Sequence, residues 1–159
     1  MRIVFFILLI FFTGCGGSKY FYWDVNLSTK AKKEIPLSLN FPDYMKSGYV
    51  VAKDGEKLIF LKKEIPESVE KFYGGYLRKS LKKYGIDAKN YPWDYENKPK
   101  KIFFVNIYDY YVDLKNKEAV LKAECCNRYF DIKKKYKKEW MGAYKGAFDE
   151  FIKKLGGLL

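Results

Sequence analysis

The chain has 159 residues, and its 31 lysines and arginines against 19 aspartates and glutamates give a net charge of +12 at pH 7. A hydrophobic fraction of 48% indicates a globular protein of about one domain. The absence of histidine excludes catalysis by an imidazole base and metal sites with histidine ligands.

Only three of the basic residues are arginine, the residue best suited to bidentate phosphate contacts, and we therefore expect no nucleic-acid partner. The lysine excess leaves two interpretations open, which are compositional bias and attraction to an anionic partner.

The first 14 residues have the pattern of a signal peptide. Arg2 precedes the apolar run 3–12, which is about half as long as a membrane-spanning helix. The small residues Thr13 and Gly14 then lead into Cys15, and this segment resembles the lipobox of bacterial lipoproteins. The resemblance implies that residues 1–14 are removed and that Cys15 is lipidated as the first residue of the mature chain.

Residues 15–19 form the expected lipidated tether, and residues 20–159 the single domain. A multiply acylated Cys15 would hold the protein on a membrane, because stable anchoring takes at least two acyl chains. Gly16 occupies the position at which an Asp would act as a sorting signal. By the same resemblance, we expect the protein on the periplasmic side of the outer membrane, with the inner membrane as the alternative. Apart from this covalent lipid, we expect no cofactor.

The first half of the domain predicts a strand, a hairpin and a helix. The segment 35–40 alternates as an extended strand, and Pro36 limits it to a sheet edge or a strand start. The segments 48–53 and 56–61 flank Asp54-Gly55, a strong hairpin signal. An amphipathic helix then begins near Pro66 and ends at Gly85.

The second half repeats this order. A long loop over residues 86–100, with room for a short strand, precedes a strand that starts at Lys101. Residues 113–118 join it as a second hairpin to a strand over residues 119–129. An amphipathic helix from about Lys138 ends at Gly156-Gly157. We predict an α+β domain, an antiparallel or mixed sheet packed by two amphipathic helices on one face.

Two cysteines remain besides Cys15. Cys125 and Cys126 are adjacent, and a disulfide between neighbours would be strained, so we predict free thiols on opposite faces of a strand. No spacing indicates a metal site, and no paired carboxylates, phosphate loop or activated serine motif indicate catalysis. We therefore expect a protein that is not an enzyme.

The aromatic clusters 20–23 and 108–111 have two interpretations. They could form an interface or a lipid-contact belt, since tyrosine and tryptophan combine an apolar body with a polar tip. The favoured interpretation is that they fill the core and stabilise strands.

The order of these elements resembles the ABC-type transport auxiliary lipoproteins, a family that includes paraquat-inducible protein C. Pro42, Tyr44 and Met45 match the segment that precedes the family's hairpin, and the strand 103–107 and the spaced alanines Ala143 and Ala147 match its later elements. The resemblance implies a non-enzymatic accessory subunit whose partners are an MCE-type protein, an ABC permease or both. It makes Pro42, Tyr44 and Met45 candidate partner-binding residues.

A second hypothesis is an outer-membrane scaffold lipoprotein that binds anionic glycolipid or an envelope assembly complex through its lysine-rich surface. In either case, sheet edges could pair with a partner or with a second copy of the chain.

Overall fold

A computed structural model describes residues 23–25 and 30–159. The predicted signal peptide, the lipidation site Cys15 and the tether lie outside these residues. The described elements are seven strands, β1 (Lys33–Asn40), β2 (Tyr49–Asp54), β3 (Lys57–Glu64), β4 (Ile86–Asn90), β5 (Phe103–Asp113), β6 (Glu118–Cys125) and β7 (Arg128–Lys135), and two α-helices, α1 (Gly75–Leu81) and α2 (Met141–Gly156). A π-helical turn, Glu70–Gly74, leads into α1, and a 3₁₀ turn, Lys82–Tyr84, follows it.

Strand β5 connects the whole sheet. It pairs antiparallel with β6 over residues 105–113, parallel with β1 over residues 103–106, and parallel with β2 at residues 112 and 113. A strand has two edges, and β6 occupies one of them along nearly the full length of β5. Therefore β1 and β2 must share the other edge, one after the other. Strands β4, β3 and β7 extend the sheet beyond β1, β2 and β6.

The prediction of an α+β fold with a mixed sheet and two helices is confirmed. Helix α2 packs across β6 and β7, helix α1 packs on β4, and the two helices touch each other, so both cover the same face of the sheet. The core lies between that face and the helices, and it includes alternate residues of β5 such as Val105 and Ile107.

The expectation that Pro36 would place β1 at a sheet edge or that Pro36 would start the strand is wrong, because β1 lies between β4 and β5 and Pro36 is its fourth residue. The N–H of Lys33 donates to Gly85 O, and Leu37 O accepts from the N–H of Tyr91, so the odd-numbered residues of β1 bond toward β4. The nitrogen of Pro36 therefore points to the β5 side, where pairing starts only at Leu37 and Phe103. No ladder hydrogen bond is lost at Pro36.

Both predicted hairpins exist, with one adjustment. In the first hairpin Asp54 pairs with Lys57, so the two turn residues are Gly55 and Glu56 rather than Asp54 and Gly55. Gly55 has φ +62°, the conformation that a type II′ turn needs at its first central position. In the second hairpin Asp113 pairs with Glu118, as the sequence predicted.

The predicted strand 119–129 is in fact two strands. Strand β6 ends at Cys125 and β7 begins at its cross-strand partner Arg128. Cys126 and Asn127 form the turn, both with positive φ (57° and 60°), as a type I′ turn requires. The signal was missed because cysteine is not a typical residue at a position with positive φ.

The first helix also starts later than Pro66, in the π-helical turn at Glu70. It ends at Gly85 as predicted, because Gly85 adopts φ +77°. The predicted loop 86–100 does contain a short strand. This strand is β4, and it pairs parallel with β1.

A gap separates β1 and β2 along their shared edge of β5, and Tyr44 fills it. The hydroxyl of Tyr44 accepts a hydrogen bond from the backbone N–H of Tyr110 (2.8 Å) and donates to Asp109 Oδ1 (3.4 Å). A buried backbone N–H needs a hydrogen-bond acceptor, and at Tyr110 none of the described strands supplies one. The side chain of Tyr44 supplies it instead.

Three tyrosines form the centre of the core. The rings of Tyr110 and Tyr144 stack with centroids 3.9 Å apart, and Tyr110 O–H donates to the backbone oxygen of Tyr144 (2.6 Å). The hydroxyls of Tyr73 and Tyr144 are 2.9 Å apart. All three side chains are buried, and burial is the largest cause that raises the pKa of each. Their hydroxyls are satisfied inside the protein in the neutral form.

Tyr44→Phe should lower the free energy of unfolding by about 1–3 kcal/mol, because it leaves the N–H of Tyr110 without an acceptor. The control is Tyr129→Phe, at an exposed tyrosine, with an expected change below about 0.5 kcal/mol. Urea unfolding followed by circular dichroism measures both. Equal effects would show that Tyr44 does not complete the edge of β5.

Stability should fall above about pH 10, the pKa of a tyrosine in the unfolded chain. Because folding raises the pKa of Tyr73, Tyr110 and Tyr144, their stabilising contribution is complete below that pH and is lost as the pH rises further. Urea unfolding across this range, with tyrosinate absorbance recorded in parallel, tests the prediction. Tyr73→Phe should show a shallower decline, and a stability that stays constant into strong alkali would contradict it.

Candidate functional site

One face of the sheet carries both helices, and we call the opposite face the open face. Side chains alternate along each strand, so Phe104 on β5 and Tyr129 on β7 point away from the helices, while their neighbours Val105 and Phe130 belong to the core. The exposed large hydrophobic residues of the open face lie in two groups, with Tyr49, Leu58 and Phe60 on β2 and β3, and Phe104, Tyr108 and Tyr129 on β5 and β7.

We call Phe104, Tyr108 and Tyr129 the aromatic patch. They are 51%, 48% and 59% exposed, more than nearly all other aromatic side chains of the described residues. The rings of Tyr108 and Tyr129 stack at 6.4 Å, and Tyr108 O–H donates to Glu124 Oε2 (2.6 Å). Tyr108 is in this position because the β5–β6 register shifts between Ile107 and Asp109, a bulge that places one additional residue in β5. The patch therefore presents apolar surface to solvent, and the stacking and the hydrogen bond hold the rings of Tyr108 and Tyr129 in place.

Charged residues between the two exposed groups compensate one another. Lys53 Nζ lies 3.1 Å from Asp109 Oδ1 and 4.0 Å from the centre of the Tyr111 ring. The buried Glu118 lies 3.9 Å from Lys133 Nζ. These charges have local partners, and the aromatic patch is the apolar part of this face that a protein surface could cover.

The predicted partner-binding residues Pro42, Tyr44 and Met45 lie at the turn between β1 and β2. Met45 is buried in the core, and Tyr44 is half-buried with its hydroxyl on the edge of β5. Pro42 is half-buried and accepts the N–H of Met45 at its backbone oxygen (3.0 Å). All three make contacts within the fold, and their role in partner binding stays a prediction.

The sequence predicted that the two thiols lie on opposite faces of a strand, and this prediction is wrong. Since Cys126 belongs to the turn after β6, its Sγ lies 3.1 Å from Cys125 Sγ. Both cysteines are free, with Cys125 buried and Cys126 exposed. Burial raises the pKa of the Cys125 thiol.

Within residues 23–25 and 30–159, no group of three or more cysteine and acidic side chains is placed to hold a metal ion. No helix of the described part of the chain is both long and apolar enough to cross a membrane.

A second feature is the segment Trp23–Val25, which we call the N-terminal strap. The ring of Trp23 lies between the helices, with centroid distances of 4.9 Å to Tyr76, 5.4 Å to Phe148 and 5.5 Å to Phe72. The strap borders a groove of about 340 Å³ on the helix side. The cluster 20–23 thus supplies a side chain that packs against the core, as the favoured interpretation expects, although residues 20–22 lie outside the described residues.

A basic groove of about 910 Å³ runs between α2 and β7. Its lining includes Arg128, Lys134, Lys153 and Lys154. Glu150 forms ion pairs with both Lys134 and Lys154, and these two lysines lower the pKa of its carboxyl group. The lining also includes Asp149, which pairs with Lys145, so the groove combines positive charge with two acidic side chains that are already compensated.

No family model and no curated protein matches the chain. Solved structures do share its fold. One, described as an uncharacterized protein, has a TM-score of 0.60 and 10% sequence identity over 87% of this chain and 93% of the other. A second, protein XCC0632 from Xanthomonas campestris, of the family DUF330, has a TM-score of 0.62 and 9% identity over 84% of this chain and 87% of its own. At these identities the likeness shows the fold alone.

Trp23→Ala should lower the free energy of unfolding by about 2–4 kcal/mol, because it removes the ring that packs between the helices. The matched control is Trp93→Ala. Trp93 is 83% exposed, so the expected change is within about 0.5 kcal/mol. Thermal and urea unfolding of the two variants make the comparison, and a Trp23→Ala variant as stable as Trp93→Ala would contradict the placement of the strap.

Proposed function

We propose that the chain is a membrane-anchored lipoprotein that faces the periplasm. It acts as a non-enzymatic accessory subunit of an ABC/MCE-type transport system, which moves lipids or other hydrophobic molecules across the cell envelope. The anchor is the lipid on Cys15, and the membrane is the outer membrane. The pattern of residues 1–15 supports the anchor, and the open face supports the accessory role.

The observation that carries this proposal is the aromatic patch on the open face. A sheet with one covered face normally places polar side chains on the other. Here Phe104 and Tyr129 are more than half exposed, next to the stacked ring of Tyr108. Aromatic side chains of this kind are enriched at the centres of protein interfaces, where they contribute much of the binding energy. The open face therefore suits an MCE-type protein or a permease as its partner.

The branched sheet adds a second means of association. Among the described strands, β3, β4 and β7 each pair with one neighbour and leave one backbone edge open. Such an edge can accept a strand from a partner or from a second copy of the chain. Lysines at the edge, such as Lys57 and Lys62 in β3, limit unspecific pairing. A homo-oligomer assembled through these edges is part of the proposal.

The basic groove favours a second function, a scaffold lipoprotein that binds anionic glycolipid. Arg128 and Lys153 line the groove, and phosphate groups of a glycolipid would complement their charge. This alternative places the ligand beside α2, on the opposite side of the domain from the aromatic patch. The two functions therefore predict sensitivity to different substitutions.

The test is affinity purification of the protein from its native membranes in mild detergent, with mass spectrometry of the proteins and lipids that come with it. We expect an MCE-type or permease subunit. Phe104→Ser together with Tyr129→Ser should reduce its recovery about tenfold, a loss of about 1.4 kcal/mol of binding free energy. The matched control is Tyr84→Ser, which removes a 43% exposed ring beside the basic groove and should leave the partner bound.

Cys15→Ala should release the protein from the membrane fraction, because the acyl chains are lost. Retention of this variant on the membrane would contradict the anchor. The opposite outcome has three parts. Only glycolipid or β-barrel assembly components are recovered, Arg128→Glu with Lys153→Glu abolishes their recovery, and the open-face variant leaves it unchanged. This outcome would replace the transport function by the scaffold.

A further inference from the structure

The N-terminal strap determines where the membrane-attached end of the chain leaves the domain. Trp23 is the earliest described residue, and its ring is held between the two helices by Phe72, Tyr76 and Phe148. The strap and the groove beside it are bordered by helix-side residues that include Lys71 and Lys79. The chain toward Cys15 therefore begins on the helix side, opposite the open face.

The chain between the anchor and the strap is short. Eight residues lead from Cys15 to Trp23, and even a fully extended chain of that length spans at most about 29 Å. If residues 1–14 stayed attached and Phe12 were the last residue in the bilayer, the limit would rise to about 40 Å. Either value is an upper limit that holds for any conformation of these residues.

The domain is too large for this length of chain to pass around it. A domain of about 130 residues has a radius of gyration of about 14 Å, which corresponds to a sphere of about 18 Å radius. From the helix-side pole of such a sphere, a chain needs about 28 Å to reach the rim and about 18 Å more to reach a bilayer under the open face, or about 46 Å in all. The connecting chain is shorter than this path in both cases. The open face cannot rest on the membrane that holds the anchor while Trp23 keeps its place between the helices.

We propose that the helix side of the domain rests on the membrane that holds the anchor, and that the open face points away from it. This inference rests on the anchor of the proposed function and adds the orientation. Charge does not choose between the two sides, since the helix-bearing segments 66–84 and 137–159 and the strand-bearing segments 30–65 and 86–136 all have a net positive charge. The helix side can nevertheless contact an anionic surface, because residues 66–84 contain five lysines and arginines against two glutamates. Lysines near a bilayer surface are attracted to anionic headgroups.

The orientation has a consequence for partners. The aromatic patch then faces the aqueous compartment, so a protein that binds it approaches from the side away from the anchoring membrane. The basic groove beside α2 lies on the membrane side, within reach of phosphate-bearing headgroups.

The test is photo-crosslinking to lipid. The full chain is extracted from its membranes and reconstituted in vesicles of phosphatidylethanolamine and phosphatidylglycerol, with p-benzoylphenylalanine in place of either Lys79 on the helix side or Tyr129 on the open face. Both parent residues are exposed. Mass spectrometry then counts lipid adducts. We expect about ten times more adducts at position 79 than at position 129.

A longer connecting chain is the matched control. An insert of about 40 Gly/Ser residues between Ser18 and Lys19 leaves the domain intact and lets either face reach the bilayer, so the difference between the two positions should shrink. Trp23→Ala should also reduce the difference in adducts between the two positions. If this variant does not fold, the insert still tests the role of the connecting chain.

The outcomes separate the inference from the proposed function. If the protein is bound to the membrane but position 129 gives as many adducts as position 79, or more, the orientation is overturned and the anchor stands. A difference that persists with the insert would show that the connecting chain does not set the orientation, and it would overturn the argument. A chain absent from the membrane fraction would overturn both the anchor and the orientation.

Discussion

The structure depends on satisfying the backbone hydrogen bonds along both edges of β5. Strand β6 covers one edge, while β1 and β2 share the other, and every remaining strand joins the sheet through one of these three. Between β1 and β2 the edge would lack a partner at Tyr110, and the hydroxyl of Tyr44 supplies the acceptor. The constraint explains two features that a simple sheet would not have, an interior strand that contains Pro36 and three strands with one open edge each.

The core follows from the same strand. Tyr110 points to the helix side and stacks on Tyr144 of α2, and their hydroxyl and carbonyl groups are bonded within the core. Trp23 closes the aromatic cluster from the N-terminal side by packing between the helices. Since the two helices and the strap cover one face and nothing in the described residues covers the other, the domain has two sides with different chemistry. One lies next to the N-terminal chain, and the other carries the aromatic patch.

This separation gives the proposed function a physical form. An accessory subunit must be held at a membrane and present a surface to another protein at the same time. The strap next to the predicted anchor, and the aromatic patch on the far side, would place these two tasks on opposite sides of the domain. The solved structures with the same fold extend over nearly the whole of this chain, so the arrangement of sheet and helices is not peculiar to it.

The sequence by itself determined the features that depend on near neighbours. The α+β class, two hairpins, the helix end at Gly85 and the course of α2 follow from periodicity and turn residues, which act over a few positions. The pairing of strands, the short strap and the burial of individual aromatic residues depend on distant parts of the chain. Tyr108 and Tyr110 stand two positions apart in one strand, where alternation would put them on the same face. A bulge places Tyr108 in the exposed patch and Tyr110 in the core, because the register against β6 was decided by packing that local sequence does not encode.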